Sequence, residues 1–568
     1  VRQISRRRFL AAAAGALAAV AGAPAAALAS RVRAPSVGTL SVRNAGRRYV
    51  GDRDLLATVS PGVPGRDQID LSFRLDSAAR VTLEAVRNQL RKTVVAWGHD
   101  ADLLAGEHVV RWQPLPTTPP GSYVLRLTLE NESGKRRVYG GRRPAAVERG
   151  SAAVVRVLGV EAAFDRRSYA PGEPMQLTVL ADTPSLTLTF LRCGFEAEPT
   201  LRNDELSGLP LAEPVPLDWA GKRSGPRTIE IQSGQWPTGL YAVRLETPDG
   251  RVGFAPFVLR PPVLGQRREA VILGTNTWQA YNFADPDGDG WGDTWYAGGN
   301  PPVLLDRPYV ERGVPPRYRR YDLPFLRWLR RLHHEPEMLA EDDLEAFPSG
   351  DELRRLYDLV VFPGHTEYVT AHAYDVIERF RDLGGRLIFL SANNFFWRVD
   401  KEGNTIRRVQ LWRDMGRPEA ALLGVQYRAN DDGTRQAPFT ITGAEAAPWL
   451  FDRTQLVDGS LLGEVVSGFG IEIDATTDWS PPGTIVLARA IDVFGPGISG
   501  EMSYYETEAG ARVFSAGALD FCSSLMTWPV WKLVDNLWRH MLTDVPPPPA
   551  PPAPPPVEPE PAAPPSGQ

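Results

Sequence analysis

Between about residues 50 and 262 apolar side chains recur at every second position, and a period of two confines that stretch to β-sheet. Ile69, Leu71, Phe73 and Leu75 alternate with polar neighbours, as do Tyr123, Leu125, Leu127 and Leu129. Met175, Leu177 and Val179 repeat the pattern, followed by Tyr241, Val243 and Leu245. Pro61-Gly62, Pro64-Gly65 and Pro120-Gly121 supply turns between the runs. The stretch also repeats itself: Pro120-Gly121-Ser122-Tyr123-Val124-Leu125-Arg126-Leu127 is answered by Pro237-Thr238-Gly239-Leu240-Tyr241-Ala242-Val243-Arg244-Leu245. Two tandem immunoglobulin-like β-sandwiches are predicted, over 50–147 and 152–262, with a linker over 30–49.

From residue 265 the period changes. Ala270–Leu273, Leu359–Phe362 and Leu387–Leu390 are short wholly apolar runs. Helical apolar spacing lies between them over Tyr321–Leu332 and Ala371–Leu383. Strands alternating with helices predict a mostly parallel sheet covered on both faces. Further strands are expected near Thr484–Ala490 and Arg512–Ala518, with a closing helix over Trp528–Leu542. The expected fold is therefore multidomain β plus α/β, with an α/β domain of the amidotransferase or flavodoxin type over 265–545.

Ser5-Arg6-Arg7-Arg8-Phe9-Leu10, an Ala-rich segment and Ala27-Leu28-Ala29 together resemble a twin-arginine export signal, predicted to span 1–29 and to be cleaved. An extracytoplasmic protein is expected. Residues 546–568 are rich in Pro and Ala, and are expected to be extended and disordered. The formal charge of −5 argues against a generally basic nucleic-acid binder. No segment after the leader is apolar enough to span a membrane. Two cysteines, Cys193 and Cys522, are too few for a disulfide scaffold.

Three polar loops follow three of the apolar strands. They are Thr275 to Asn282, Gly364-His365-Thr366-Glu367-Tyr368, and Ser391-Ala392-Asn393-Asn394. The carboxyl ends of parallel strands share one edge, and ligands bind in the crevice there. Chain order alone thus draws Tyr281, His365, Glu367 and Asn393 toward one place. Phosphate-cradling Gly-rich loops, a Gly-x-Ser-x-Gly elbow and a His-Glu-x-x-His helix are all missing.

Thr277-Trp278-Gln279-Ala280-Tyr281-Asn282, Asp322-Leu323-Pro324-Phe325-Leu326-Arg327-Trp328-Leu329, Gly364-His365-Thr366-Glu367-Tyr368 and Asn393-Asn394 with Trp397-Arg398 occur in that order. Together they resemble the large-subunit family of N,N-dimethylformamidase, over roughly 235–545. The resemblance implies a hydrolase of carbon–nitrogen bonds in small amides, which the leader would make an exported one. It implies a mononuclear iron held by Tyr241, Tyr281 and Glu367, with His365 and Asn393 beside the substrate. It also implies a further acidic residue near the late hairpin, Glu501 or Glu506, and a small partner subunit or a homo-oligomer. Tyr241 has two readings: ligand by resemblance, or packing residue, because Tyr123 occupies the same place in the first sandwich. The competing function is a non-catalytic extracytoplasmic protein binding a glycan or peptide on a degenerate α/β module.

A separate signal lies in Asp285-Pro286-Asp287-Gly288-Asp289-Gly290-Trp291-Gly292-Asp293. Carboxylates at positions 1, 3, 5 and 9 with Gly at 6 match the front of a calcium loop. Position 12 is Tyr296, so the usual bidentate Glu is missing. Asp285, Asp287, Asp289 and Asp293 are the expected calcium ligands, stiffening the loop after Tyr281.

Overall fold

Alternating apolar residues give each of the first two units two sheets facing one another across a dry core. The computed structural model describes residues 33–87, 94–140, 152–296, 299–463 and 468–544. The leader and the Pro-rich tail lie outside these residues. In the first unit one sheet holds Val37–Asn44, Ile69–Leu75 and Gly106–Trp112. The facing sheet holds Leu56–Val59, Ala153–Val157, Gly121–Glu130, Ala79–Arg87 and Val94–Leu103. Phe73, Val81, Leu83, Trp112, Tyr123 and Leu125 meet between them.

Two boundaries differ from expectation. The segment taken as a linker contains Val37–Asn44, paired antiparallel with Ile69–Leu75. As an edge strand it buries only Val42 and Asn44, so its composition is too polar to signal a strand. Ala153–Val157, expected to open the second sandwich, instead joins the first, between Gly121–Glu130 and Leu56–Val59. An apolar run does not declare which sheet it will enter.

The second unit pairs a sheet of Val160–Phe164, Pro174–Ala181 and Arg227–Gln232 with one built on Ser185–Cys193, Gly239–Glu246 and Val252–Leu259. Leu177, Val179, Trp219, Tyr241, Val243 and Phe257 fill its core.

The third unit is built on a nine-stranded sheet. Its first strands in spatial order are Glu337–Ala340, Glu269–Leu273, Leu359–Phe362, Arg386–Phe389 and Arg512–Ser515, all parallel. Gly500–Glu506, Ile485–Ala490, Phe439–Ile441 and Leu461–Leu462 continue it antiparallel. Side chains alternate between its two faces. Ile272, Val360 and Phe389 pack against Ala373, Ile377 and Phe380 of helix Ala371–Asp382. Val271, Val361 and Ile388 share the opposite cluster with helices Leu323–Leu332 and Val530–Leu542. Each fully buried Ile or Phe contributes about 1.5–3 kcal/mol. Helix Ala371–Asp382 starts where Thr370 Oγ1 accepts from Ala373 N at 3.1 Å, and stops before Gly384 at φ +82°. The molecule is thus a mostly β-sheet, multidomain chain with few helices. Among the described residues no helix is long and apolar enough to cross a membrane.

Candidate functional site

Glu269–Leu273 lies between Glu337–Ala340 and Leu359–Phe362, so the chain order reverses direction beside it. The loops leaving Glu269–Leu273 and Leu359–Phe362 therefore open a crevice at their carboxyl ends. Short helix Thr275–Ala280 leads to Tyr281, and Gly364 to Glu367 leaves the neighbouring strand. Thr277 Oγ1 accepts from Glu367 N at 3.0 Å, tying the two loops together. Glu341 fixes the other end of the helix by accepting from Asn276 N at 2.6 Å.

The Tyr281 hydroxyl meets Glu367 Oε2 directly. The Tyr368 hydroxyl lies 3.5 Å from that of Tyr281. His365 Nε2 is 3.5 Å from Glu367 Oε2 and 3.7 Å from Glu472 Oε2. Asn393 N donates to Asp474 Oδ1 at 2.8 Å, and Asn393 Nδ2 donates to Glu472 Oε2 at 2.8 Å. His365, Glu367 and Asn393 are 6%, 3% and 4% exposed. Tyr281, His365 and Glu472 border a small cavity of about 50 Å³ with Trp278, Tyr321 and Asp322.

Burial, then the Glu367 carboxylate, holds the Tyr281 phenol well above its ordinary range. Burial, then the charge of Glu472, raises Glu367 in turn. Burial pushes His365 down to about 3, against the backbone of Asn393, so its imidazole is neutral. His365 Nε2 and Asn393 Oδ1 are buried without a hydrogen-bond partner among the described residues. Oxygen acids pressed together beside an unused imidazole nitrogen are an arrangement that a cation stabilises, reversing the local logic that otherwise keeps protons on them. Phenolate and carboxylate are hard donors suited to iron.

Four of the expected residues, Tyr281, His365, Glu367 and Asn393, are brought together. Tyr241 is not. It is wholly buried in the second sandwich, where its hydroxyl donates to Pro237 O at 2.5 Å and its ring stacks between Trp236 and Phe257. Tyr123 does the same in the first sandwich, donating to Pro119 O at 2.8 Å. Both tyrosines thus pack within their sandwiches, and the tyrosine beside Tyr281 is Tyr368. Glu501 also lies elsewhere, paired with Arg489 at 2.9 Å, and Glu506 is held by Tyr504. A further acidic residue at the site is Glu472, on strand Glu472–Ala475. No motif marks it, and only its pairing with Gln426–Asn430 and its bond to Asn393 reveal it.

In the acidic loop, carboxylate oxygens of Asp285, Asp287 and Asp289 lie within 4.8 Å of one another. Asp293 does not join that group. Its carboxyl rises to about 6 through burial and the nearby Asp287 and Asp289 charges.

Residues 226–536 match the family described as N,N-dimethylformamidase beta subunit-like, C-terminal. The N,N-dimethylformamidase beta subunit of Alcaligenes sp is 23% identical over 330 residues, covering 47% of this chain and 43% of that protein. That of Paracoccus aminophilus is 23% identical over 322 residues, covering 47% and 41%. The match thus spans less than half the length of either relative. Among solved structures, Escherichia coli alpha-2-macroglobulin activated by porcine elastase covers 39% of this chain and 20% of its own, at 14% identity and a TM-score of 0.16. Likeness at that level has no bearing on fold or site.

Proposed function

We propose that this chain, which belongs to the N,N-dimethylformamidase beta subunit-like family, hydrolyses the carbon–nitrogen bond of small amides in the cavity beside Tyr281 and Glu367. The observation that carries the reading is the meeting of the Tyr281 phenol and the Glu367 carboxyl next to a buried, unpartnered His365 Nε2. That donor set fits a mononuclear iron, with Tyr281 and Glu367 as ligands and Tyr368 or Glu472 within reach to complete them. Iron bound there would supply Lewis-acid polarisation of the amide carbonyl and would acidify water.

The chain's own residues account for the remaining needs of the reaction. Water must lose a proton as its oxygen bonds to the carbonyl carbon, and the departing nitrogen must gain one. His365, whose Nε2 is buried without a partner, is the residue in reach to take the first proton and return it to nitrogen. Asn393, anchored by Asp474, holds Glu472 in place. The rings of Tyr281, Tyr296 and Tyr368 pack edge to face beside these groups.

Purified protein expressed with iron should hold close to one equivalent of metal and absorb visible light through tyrosinate-to-iron charge transfer. Tyr281→Phe should bleach that absorption and abolish hydrolysis of small formamides. Less than about a tenth of an equivalent of any transition metal would sink the reading and favour a binding protein.

The two sandwiches are read as immunoglobulin-like and the parallel half of the third sheet as flavodoxin-like, its spatial order matching that type. Export by a twin-arginine signal is proposed from Arg6-Arg7 and the residues that follow. A partner subunit or self-association is proposed because both curated relatives are named as beta subunits. Calcium at Asp285, Asp287 and Asp289 is proposed as a stiffener of the loop.

A further inference from the structure

Helix Leu323–Leu332 starts beside the reactive cavity and ends at a second cavity, of about 600 Å³, between the second sandwich and the edge strand Glu337–Ala340 of the third unit. The two cavities share no lining residue. The size of the second suits a small organic ligand. Strand Ser185–Cys193 brings Arg192 to its wall. Gly194, at φ +81°, then turns the chain so close to the helix that a methyl group there would come 2.5 Å from Leu326 Cβ. That turn sets Phe195 against Arg192, with the guanidinium carbon 3.7 Å from the ring centroid. Arg330 of the helix lies over the same ring at 5.4 Å and donates to Glu196 O at 3.1 Å.

Stacking on an aromatic ring occupies the face of a guanidinium and leaves its N–H edge to bond elsewhere. In Arg192 that edge is unused. Among the described residues the side chain forms no ion pair, and its Nε is buried without a hydrogen-bond partner. Burial lowers the guanidinium from its ordinary value, and Tyr241 and Glu335 offset this only in part. The carboxylates of the cavity are engaged with other groups. Glu335 pairs with Arg267 at 2.6 Å, and Glu337 accepts from Gly265 N and Arg267 N, each at 2.9 Å. Much of the remaining wall is apolar, formed by Pro237, Leu329, Met338 and Trp236, whose ring stacks on Tyr241 with centroids 5.7 Å apart.

A half-buried guanidinium with no counter-ion has lost hydration that nothing in the protein replaces. A carboxylate replaces it well, because its two oxygens match the guanidinium fork. An apolar wall beside that fork asks for a ligand with more than an acid group. We infer that this cavity is a second ligand site, which takes a small organic carboxylate whose acid group pairs with Arg192 and whose apolar body lies along Trp236. The inference goes beyond the amide-hydrolase reading and rests on neither its metal nor its turnover.

The test is calorimetric titration of the full chain with hydrocinnamate, with hydrocinnamyl alcohol, which has the same body without the charge, and with acetate, which has the charge without the body. Hydrocinnamate should bind saturably, and the alcohol and acetate should each bind at least about tenfold more weakly. Arg192→Ala should bring hydrocinnamate down to the level of the alcohol, while Arg192→Lys, which keeps the charge but not the fork, should retain part of the difference. Arg192→Gln, closer in shape, carries the same expectation as Arg192→Ala if the alanine variant does not fold. No saturable binding of hydrocinnamate, equal affinity for acid and alcohol, acetate as tight as hydrocinnamate, or parental affinity in the neutral Arg192 variants overturns the inference. Binding that vanishes in folded, chelator-treated protein would place the acid on a metal and overturn it as well. If hydrocinnamate binds through Arg192 in a protein that neither holds iron nor hydrolyses amides, the inference stands and the hydrolase reading falls.

Discussion

Tyr241 and Tyr123 carry the same residue type at the same place in two repeated units, and each donates its hydroxyl to the carbonyl of the proline four residues earlier. Such a bond pins the turn that opens the strand and leaves no oxygen to share with a metal. Tyr241→Phe should therefore keep full metal content and visible absorption while costing about 1 kcal/mol of stability, measured by chemical denaturation. A bleached Tyr241→Phe protein would restore it as a ligand. His365 differs in kind. Its imidazole is buried and unpartnered at Nε2, and in the proposed reaction it moves a proton. His365→Gln should hold iron at parental levels yet lose about 10²–10⁴ in kcat, read by paired metal analysis and amide turnover. Parental kcat in that variant would remove His365 from the reaction.

Helix Val530–Leu542 ends beside a histidine whose surroundings work against its position. A helix C-terminus favours His⁺. His540, however, stacks on Trp449 with ring centroids 3.6 Å apart and planes 8° from parallel, and the Tyr504 hydroxyl lies 2.9 Å from its Nε2. Burial, then the Arg512 guanidinium with Arg386 behind it, pushes the imidazole down from 6.5 to about 4, while Glu506 and Asp544 oppose the shift. The folded protein therefore takes up this proton less readily than the unfolded chain. Stability from this site is complete above pH 6.5 and drains away as pH falls toward 4. His540→Phe keeps the stacked ring without the titration, so its Tm should fall less than the parent's over that window. Parallel melting curves for the two proteins would contradict this account.

At the scale of the whole molecule, the acidic loop after Tyr281 is a joint between the third unit and the first sandwich. Arg53 donates to Asp287 O at 2.7 Å, and Gly290, at φ +90°, lies so close to the sandwich that a methyl group would come 2.5 Å from Val124 Cγ2. Gly290→Ala should cost about 1–3 kcal/mol in chemical denaturation, through both backbone strain and overpacking. Adding calcium to chelator-treated protein should raise Tm, and Asp287→Asn should abolish the rise. An unchanged Tm would leave the loop a plain acidic turn. The local parts of this architecture were legible in the order of residues. Period-two runs gave the strands at Ile69–Leu75 and Gly239–Glu246, and the apolar run at Leu359–Phe362 gave a buried strand. The polar loops after Glu269–Leu273 and Leu359–Phe362 gave Tyr281, His365 and Glu367, because the ends of parallel strands share an edge whatever the rest of the chain does. Other features were not legible. Glu472 sits in no recognisable motif, Val37–Asn44 is too polar to announce a strand, and Tyr241 looks alike as ligand or as packing residue until its hydroxyl is seen bonded to Pro237. Periodicity and loop chemistry are properties of neighbouring residues and can be read along the chain. Which distant side chains share a cavity, and which of them is left without a partner there, depends on packing between segments that the sequence keeps far apart.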